Sequence, residues 1–245
     1  MYTHNFSADL ISRYPEAGTL IFWGSILLLS VLGYLLGSLN FGIILSKLLY
    51  KDDIREHGSG NAGATNMLRT HGTVSGVATL VGDALKTFVS ILLGALLMNI
   101  LGAYIAGFFC MVGHIFPLYY GFRGGKGVVV AGVLVALTDI RVFLVLSTVF
   151  LILVIGTKYI SLGSVIGIGL YPIVLFKVIS SSESTTSFHY VGVIFAFIIA
   201  GLIIWKHREN LKRIYNHTES KISFKRNKKN ESEKEKTSEK KEENK

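Results

Sequence analysis

The feature that most constrains this chain is its long stretches without charge. Residues 20–39, 87–111 and 188–205 contain no Asp, Glu, Lys or Arg. A helix rises about 1.5 Å per residue, so about 20 such residues cross a hydrocarbon core roughly 30 Å thick. One run of this kind also suits a buried helix of a soluble core. Several of them in 245 residues do not. Half the residues are hydrophobic and the mean hydropathy is +0.49, which excludes an ordinary soluble domain.

The single cysteine, Cys110, lies inside an apolar run, so neither a disulfide framework nor a cysteine metal cluster follows from it. The N-terminal residues lack a basic region and a cleavage signal, and the first run is expected to be a retained anchor. The formal charge of +9 is concentrated toward the C-terminus. Residues 223–245 alternate Lys, Arg, Glu, Ser and Asn, the composition of a charged disordered tail that solubilises, orients or touches anionic lipid. Acidic residues interleave with the basic ones, so no nucleic-acid partner is expected.

The apolar pattern predicts an all-α integral membrane protein with seven transmembrane helices, over 20–49, 75–98, 100–118, 127–138, 142–156, 163–181 and 188–205. The corresponding division is an external segment 1–18, a seven-span domain 19–205, a motif segment 206–222 and the tail 223–245. With seven spans, the connections after spans 1, 3 and 5 share one side with the tail. They hold Lys51, Arg55, Arg69, Arg123, Lys126 and Lys158, against Arg13 and Arg141 opposite. The excess of Lys and Arg places that side in the cytoplasm and the N-terminus outside.

All four polar clusters fall on that predicted cytoplasmic face. They are GSGNAGATNMLR at 58–69, GHIFPLYYGFRGGKGV at 113–128, TKYISLGS at 157–164 and KHRENLKRIYNHTE at 206–219. Glycine lets backbone N–H groups close around an anion, Asn, Ser and Thr add donors, and Arg offers a fork that matches phosphate. Flexible polar loops would explain either of the first two clusters alone, but not both with matching charge. The second is not a nucleotide P-loop. Tyr120 stands where its first glycine belongs, and Gly127 follows the lysine where Ser or Thr is needed.

Other polar residues carry weaker signals. His4 and Asp9 have the histidine–four–aspartate spacing used by one large class of glycerolipid acyltransferases, but they lie before the first span, away from the other motifs. Asp83 and Lys86, three apart on one helical face, suit a structural ion pair and a functional one equally. His114 with Pro117 reads either as a packed helix end or as a substrate ligand. Asp139 and Arg141 read as a short outer turn.

Taken together the motifs resemble the bacterial membrane glycerol-3-phosphate acyltransferases that use acyl phosphate. That family's Ser-Gly-Asn-x-Gly-Ala-Thr-Asn-x-x-Arg matches residues 59–69 throughout. Its Gly-His-x-Phe-Pro and Phe-x-Gly-Gly-Lys-Gly-Val match 113–117 and 122–128. Its Ser-Leu-x-Ser matches Ser161 and Ser164, and its third motif matches His207, Asn210, Arg213 and Glu219. The similarity spans residues 24–219. The chain departs from the pattern at His217, where the family has glycine, at Val129 and Val130, at Lys158 in place of arginine, and at Asn40 in place of proline.

The resemblance implies a seven-span bundle in the bacterial cytoplasmic membrane, with its site on the cytoplasmic face. It implies acyl transfer from a fatty acyl phosphate to the 1-hydroxyl of glycerol 3-phosphate, giving lysophosphatidic acid and inorganic phosphate, the first committed step of phospholipid synthesis. Lys126, Arg69, His207 and Asn210 are then the expected catalytic residues. Ser59, Gly60, Asn61, Gly63, Thr65, Asn66, Gly124, Gly125, Gly127, Ser161, Ser164, Arg213 and Glu219 are the expected substrate-binding ones. No metal and no cofactor are implied. The implied partners are the two substrates, membrane lipid and, by functional coupling, the enzyme that supplies acyl phosphate. His207 is either the general base or a phosphate ligand, with the donor's phosphate taking the proton in the second case. An anion transporter would place its charge near the membrane midplane, and a scaffold would not need four amide- and glycine-rich clusters on one face.

Overall fold

In the computed structural model, residues 5–181 and 187–222 are described. The tail 223–245 and His4 lie outside them. Among the described residues every regular element is helical. The α-helices, in chain order, are α1 (Phe6–Arg13), α2 (Gly18–Ser38), α3 (Phe41–Leu45), α4 (Ala64–His71), α5 (Thr73–Ile115), α6 (Val128–Thr138), α7 (Ile140–Thr157), α8 (Ile160–Gly169), α9 (Tyr171–Ser180), α10 (Ser187–Lys206) and α11 (Arg208–Tyr215).

Among the described residues five helical segments, not seven, are long and apolar enough to cross a membrane: Pro15–Tyr50, Thr73–Tyr120, Ile140–Thr157, Ile160–Ser180 and His189–Lys206. Two facts overturn the count of seven. The residues assigned to spans 2 and 3 fall in the single helical segment Thr73–Tyr120, whose two arms join at a kink at Met98 and Asn99. Those assigned to span 4 form an 11-residue helix, α6. At 1.5 Å per residue α6 is about 16 Å long, roughly half a hydrocarbon core. The placement of the N-terminus outside rested on that count and goes with it.

The turn in α5 lies at Met98 and Asn99, where φ is −136° and +54°. Beyond it the two arms run together. Ser90 Oγ donates to the carbonyl of Ala106 at 3.1 Å. A side chain at Gly94 would place Cβ 2.2 Å from the Gly102 carbonyl oxygen. In a straight helix residues eight apart would stand about 12 Å from one another.

Lipid tails are as apolar as leucine, so helices in a membrane associate through close packing rather than by escaping water. The second arm of α5 meets α2 along such a contact. Cβ atoms at Gly33 and Gly37 would fall 2.6 and 2.0 Å from the carbonyls of Ala106 and Cys110. Outward-facing side chains such as Leu27, Leu85, Ile152, Ile155 and Phe197 are more than half exposed, as lipid-facing positions are. The main core gathers Ile91, Tyr104, Met111, Leu134, Tyr171 and Ile199 from α5, α6, α9 and α10. Asn40, in place of the family's proline, caps α3 by accepting from the Ile43 amide at 3.2 Å.

Candidate active site

The site assembles at one end of the bundle, where residues far apart in sequence are tied together. The first loop is built around Asp53 and Arg55. The Arg55 guanidinium donates to both Asp53 oxygens, at 2.9 and 2.7 Å. Those bonds hold the Asp53 carboxyl down at about 2. The remaining Arg55 nitrogen donates to the carbonyls of Tyr120 and Arg123, at 2.7 and 3.1 Å, which ties the first loop to the second. Sequence reasoning counted Arg55 only as a charge. The signal it missed is the Asp-x-Arg pattern, repeated at Asp139 and Arg141 with the same pairing.

Asn66 organises the first loop from inside. It is 1% exposed. Its Oδ1 accepts from the Ser59 amide at 2.9 Å, and its Nδ2 donates to the carbonyls of Ile54 and His57 at 3.1 and 2.9 Å. Its amide group is thus taken up by the scaffold, and the expected ligand is a loop-former. Gly58 and Gly60 turn with φ of +58° and +68°. A side chain at Gly58 would collide with the Asn66 Oδ1. Ser59 and Gly60 stand exposed, while Asn61, Gly63 and Thr65 are partly exposed beside the start of α4. Arg69, in the last turn of α4, reaches the far end of the chain and donates to the Ser220 carbonyl at 3.1 Å.

In the second loop, the amides of Gly124 and Gly125 donate to the carbonyls of Ile115 and His114, at 3.2 and 3.1 Å. These amides were expected to cradle phosphate. They instead seat the loop on the end of α5. Gly127 turns with φ +83° and starts α6. Lys126 stands between these glycines.

The Lys126 ammonium donates to Asn210 Oδ1. Asn210 Nδ2 donates to Glu219 Oε1 at 2.6 Å, Ser161 Oγ donates to the same oxygen at 2.8 Å, and Arg213 Nε donates to Glu219 Oε2 at 2.7 Å. Glu219 is 8% exposed. Burial by itself would raise its carboxyl, but the bonds from Asn210, Arg213 and Ser161 outweigh that and hold it below the usual range. Burial pushes Lys126 down to about 8, helped by the charges of Arg213, Arg69 and Lys206 and opposed by Glu219. Ser164 is buried and donates to the Ile160 carbonyl at 2.9 Å within its own helix.

His207 is 3% exposed at the junction of α10 and α11. Its Nδ1 lies 2.8 Å from the Ile203 carbonyl, which can only accept, so Nδ1 carries the hydrogen and Nε2 is the accepting nitrogen. Burial pushes the ring down to about 4, and the nearby Lys126 charge pushes the same way. His207 is therefore neutral near pH 7.

The replacement of the family's glycine by His217 is accommodated. His217 adopts a left-handed φ of +57°, the conformation that favours glycine and that His tolerates better than most residues. The chain then turns so that the amides of Thr218 and Glu219 both donate to the Arg213 carbonyl, at 2.8 and 3.1 Å. The strap ends with the Ile222 amide donating to the Lys158 carbonyl at 2.8 Å. All four polar clusters thus meet. The first and fourth join through Arg69, the second and fourth through Lys126, the third and fourth through Ser161 and Lys158, and the first and second through Arg55.

A family model described as glycerol-3-phosphate acyltransferase matches residues 27–217. This chain belongs to the glycerol-3-phosphate acyltransferase family. Relatives carrying that name include one from Finegoldia magna, 40% identical over 80% of this chain and 96% of its own length. Another, from Clostridioides difficile, is 38% identical over 82% and 98%. Crystal structures of PlsY (YgiH), an integral membrane glycerol 3-phosphate acyltransferase, are similar to it in fold. Its glycerol 3-phosphate form gives a TM-score of 0.73 at 33% identity, covering 81% of this chain and 96% of that one. Its lysophosphatidic acid form gives 0.71 at 32%. Like that structure, this acyltransferase-family chain is a multi-pass integral membrane protein, and the helical segments above are its means of crossing.

Proposed function

We infer that this protein transfers a fatty acyl group from a fatty acyl phosphate to the 1-hydroxyl of glycerol 3-phosphate, forming lysophosphatidic acid and inorganic phosphate. The observation that carries the reading is the linkage from Lys126 through Asn210 to Glu219, braced by Ser161 and Arg213. It holds one ammonium at a defined place within the electrostatic reach of Arg69 and Arg213. Two phosphate-bearing substrates repel one another, and a fixed group of cations is what brings them together. The names of the matched relatives, and the glycerol 3-phosphate and lysophosphatidic acid forms of the PlsY structure, support the same chemistry.

An acyl phosphate is already activated. The hydroxyl oxygen bonds to the acyl carbon, the bond from that carbon to the phosphate oxygen breaks, and inorganic phosphate leaves. Holding the two substrates in line lowers the barrier by about 7–11 kcal/mol. Lys126 and Arg69 neutralise the phosphates and the charge that develops on the carbonyl oxygen. Ser59, Asn61 and Thr65 line the rim of the site. The hydroxyl proton passes to an oxygen of the donor's phosphate, with His207 as a phosphate-side hydrogen-bonding group. Its low basicity, set by burial, favours this assignment over general-base catalysis.

The site faces the cytoplasm. At its end of the bundle lie Lys51, Arg55, Arg69, Arg123, Lys126, Lys158, Arg208, Lys212 and Arg213, whereas Arg13 precedes α2, Arg141 starts α7 at the end remote from Lys158 and Lys177 lies in the last turn of α9. That asymmetry follows the positive-inside rule. Acyl phosphate must come from an enzyme that activates acyl chains, and functional coupling to it is part of this reading.

Donor choice tests the proposal. Purified protein given glycerol 3-phosphate forms lysophosphatidic acid from palmitoyl phosphate and not from palmitoyl-CoA. Equal use of the thioester would point to a different acyltransferase chemistry.

A further inference from the structure

Beneath the second loop lies a buried charged cluster that the mechanism above does not use. Lys86 Nζ is 2.8 Å from Asp83 Oδ1, 3.1 Å from His114 Nδ1, and 2.9 and 2.6 Å from the carbonyls of Gly37 and Leu39. An ammonium has three hydrogens, and four polar atoms surround this one. Asp83 Oδ1 also accepts from the Phe41 amide at 3.4 Å and lies 3.5 Å from His114 Nδ1. Asp83, Lys86 and His114 are 2%, 5% and 4% exposed. The cluster joins both arms of α5 to the C-terminal end of α2.

The other face of His114 carries the glycines. A Cβ at Gly125 would lie 2.1 Å from His114 Nε2, and one at Gly124 would lie 2.0 Å from the His114 carbonyl oxygen. The Gly125 amide donates to that same carbonyl at 3.1 Å. The backbone just before Lys126 therefore rests directly on His114, with no side chain between. Lys86 and Asp83 fix the height and tilt of the imidazole from below.

We propose that the Asp83–Lys86–His114 cluster is a positioning element for Lys126: it sets the level at which the Gly124–Gly125 turn sits and so aims the ammonium at Asn210 and the phosphates. The inference rests on the role given to Lys126 above. The cluster itself touches no substrate. The arrangement explains why two consecutive glycines precede the lysine although their amides are taken up by carbonyls. Their requirement is close approach to His114, not anion binding.

Two readouts are needed, because lost turnover alone would also follow from loosened packing. One is kcat/KM. The other is the pH midpoint for acetylation of Lys126 by dilute acetic anhydride, read by peptide mass spectrometry, which needs no turnover and stands even if the donor assignment fails. The variants are His114→Ala, His114→Gln, Gly125→Ala and the double His114→Ala/Gly125→Ala, each first checked for a single monodisperse species in detergent.

His114→Ala should lower kcat/KM about 100-fold, the scale expected of a misplacement near 1 Å. It should move the Lys126 midpoint up from about 8 by a unit or more as the amine escapes its buried seat. His114→Gln, which keeps a polar atom toward Lys86, should recover at least tenfold of the loss. Gly125→Ala should be as damaging as His114→Ala on its own, yet cost less than about threefold further in the His114→Ala background, where the ring it strikes is gone. The proposal is overturned if a well-folded His114→Ala keeps both wild-type turnover and the wild-type midpoint, or if His114→Gln is no better than His114→Ala. It is also overturned if turnover falls with the Lys126 midpoint unmoved, or if the His114 and Gly125 losses multiply.

Discussion

The Lys126 ammonium donates to Oδ1 of Asn210, across 84 residues of chain, and Asn210 passes the contact on to the buried carboxylate of Glu219. Asn210 presents its oxygen to a cation and its nitrogen to an anion, so its two ends cannot be exchanged. Asn210→Asp, although isosteric, would set two carboxylates 2.6 Å apart in place of an amide and a carboxylate. It should lose activity at least as severely as Asn210→Ala, and both should fall about 10²–10³-fold in kcat/KM, the range for removing a preorganised electrostatic contact. Lys126→Ala and Arg69→Ala should nearly abolish turnover. Steady-state kinetics on the purified variants measure this, and an Asn210→Asp enzyme better than Asn210→Ala would contradict the linkage.

The depressed Lys126 predicts a basic limb. The amine is charged below its pKa and neutral above, so phosphate binding weakens as pH rises through about 8 in the free enzyme. The profile of kcat/KM should bend down there. The kcat profile should bend at higher pH, because bound phosphate favours the charged amine. In Lys126→Arg the limb should move beyond the measurable range, whatever the residual rate. A wild-type kcat/KM that stays flat to pH 10 would show that the Lys126 charge is not required.

His207 separates two routes for the proton. As a phosphate-side ligand, His207→Gln raises the KM for glycerol 3-phosphate and leaves the acidic limb in place, since that limb belongs to substrate phosphate, which titrates near pH 6. Loss of a general base would instead lower kcat by about 10²–10⁴-fold with KM unchanged and would abolish the acidic limb. The profiles of wild type and variant must be compared at saturating substrate.

Much of the site could be read from the chain because its residue types are restrictive. Lys126 between glycines, Arg69 closing a Gly/Asn/Thr loop, and Asn210 and Glu219 on one segment stand near one another at one end of the bundle. What could not be read was which polar groups the scaffold itself consumes. Asn66 and the amides of Gly124 and Gly125 look like ligands by composition, yet contacts of the scaffold occupy them, and the Ser164 hydroxyl donates within its own helix. The span count failed for a related reason. Apolar length records how many residues avoid water, not whether they run straight. Spans 2 and 3 lie in one helical segment joined through Met98 and Asn99, and α6 has only 11 residues. The Asp83–Lys86 pair was legible from its spacing, but its extension to His114 and the reach of Arg55 to Tyr120 and Arg123 were not, because those partners lie far away in sequence.

Among the described residues, the strap from Glu219 to Ile222 carries the last contacts to the site. Truncation after Ser223 should leave specific activity within about twofold of the full chain. Truncation after Thr218 removes Glu219 and the Ser220 carbonyl that holds Arg69, and should cost at least 100-fold. Specific activity per correctly inserted molecule is the measurement. Equal activity of the two truncations would remove Glu219 from the account.

The most direct measurement is the stoichiometry of a single purified preparation given palmitoyl phosphate and glycerol 3-phosphate, with wild type and Lys126→Ala side by side. The account predicts lysophosphatidic acid and inorganic phosphate formed one for one by the wild type, and neither above background by the variant. Phosphate release without lysophosphatidic acid, or undiminished product from Lys126→Ala, would contradict it.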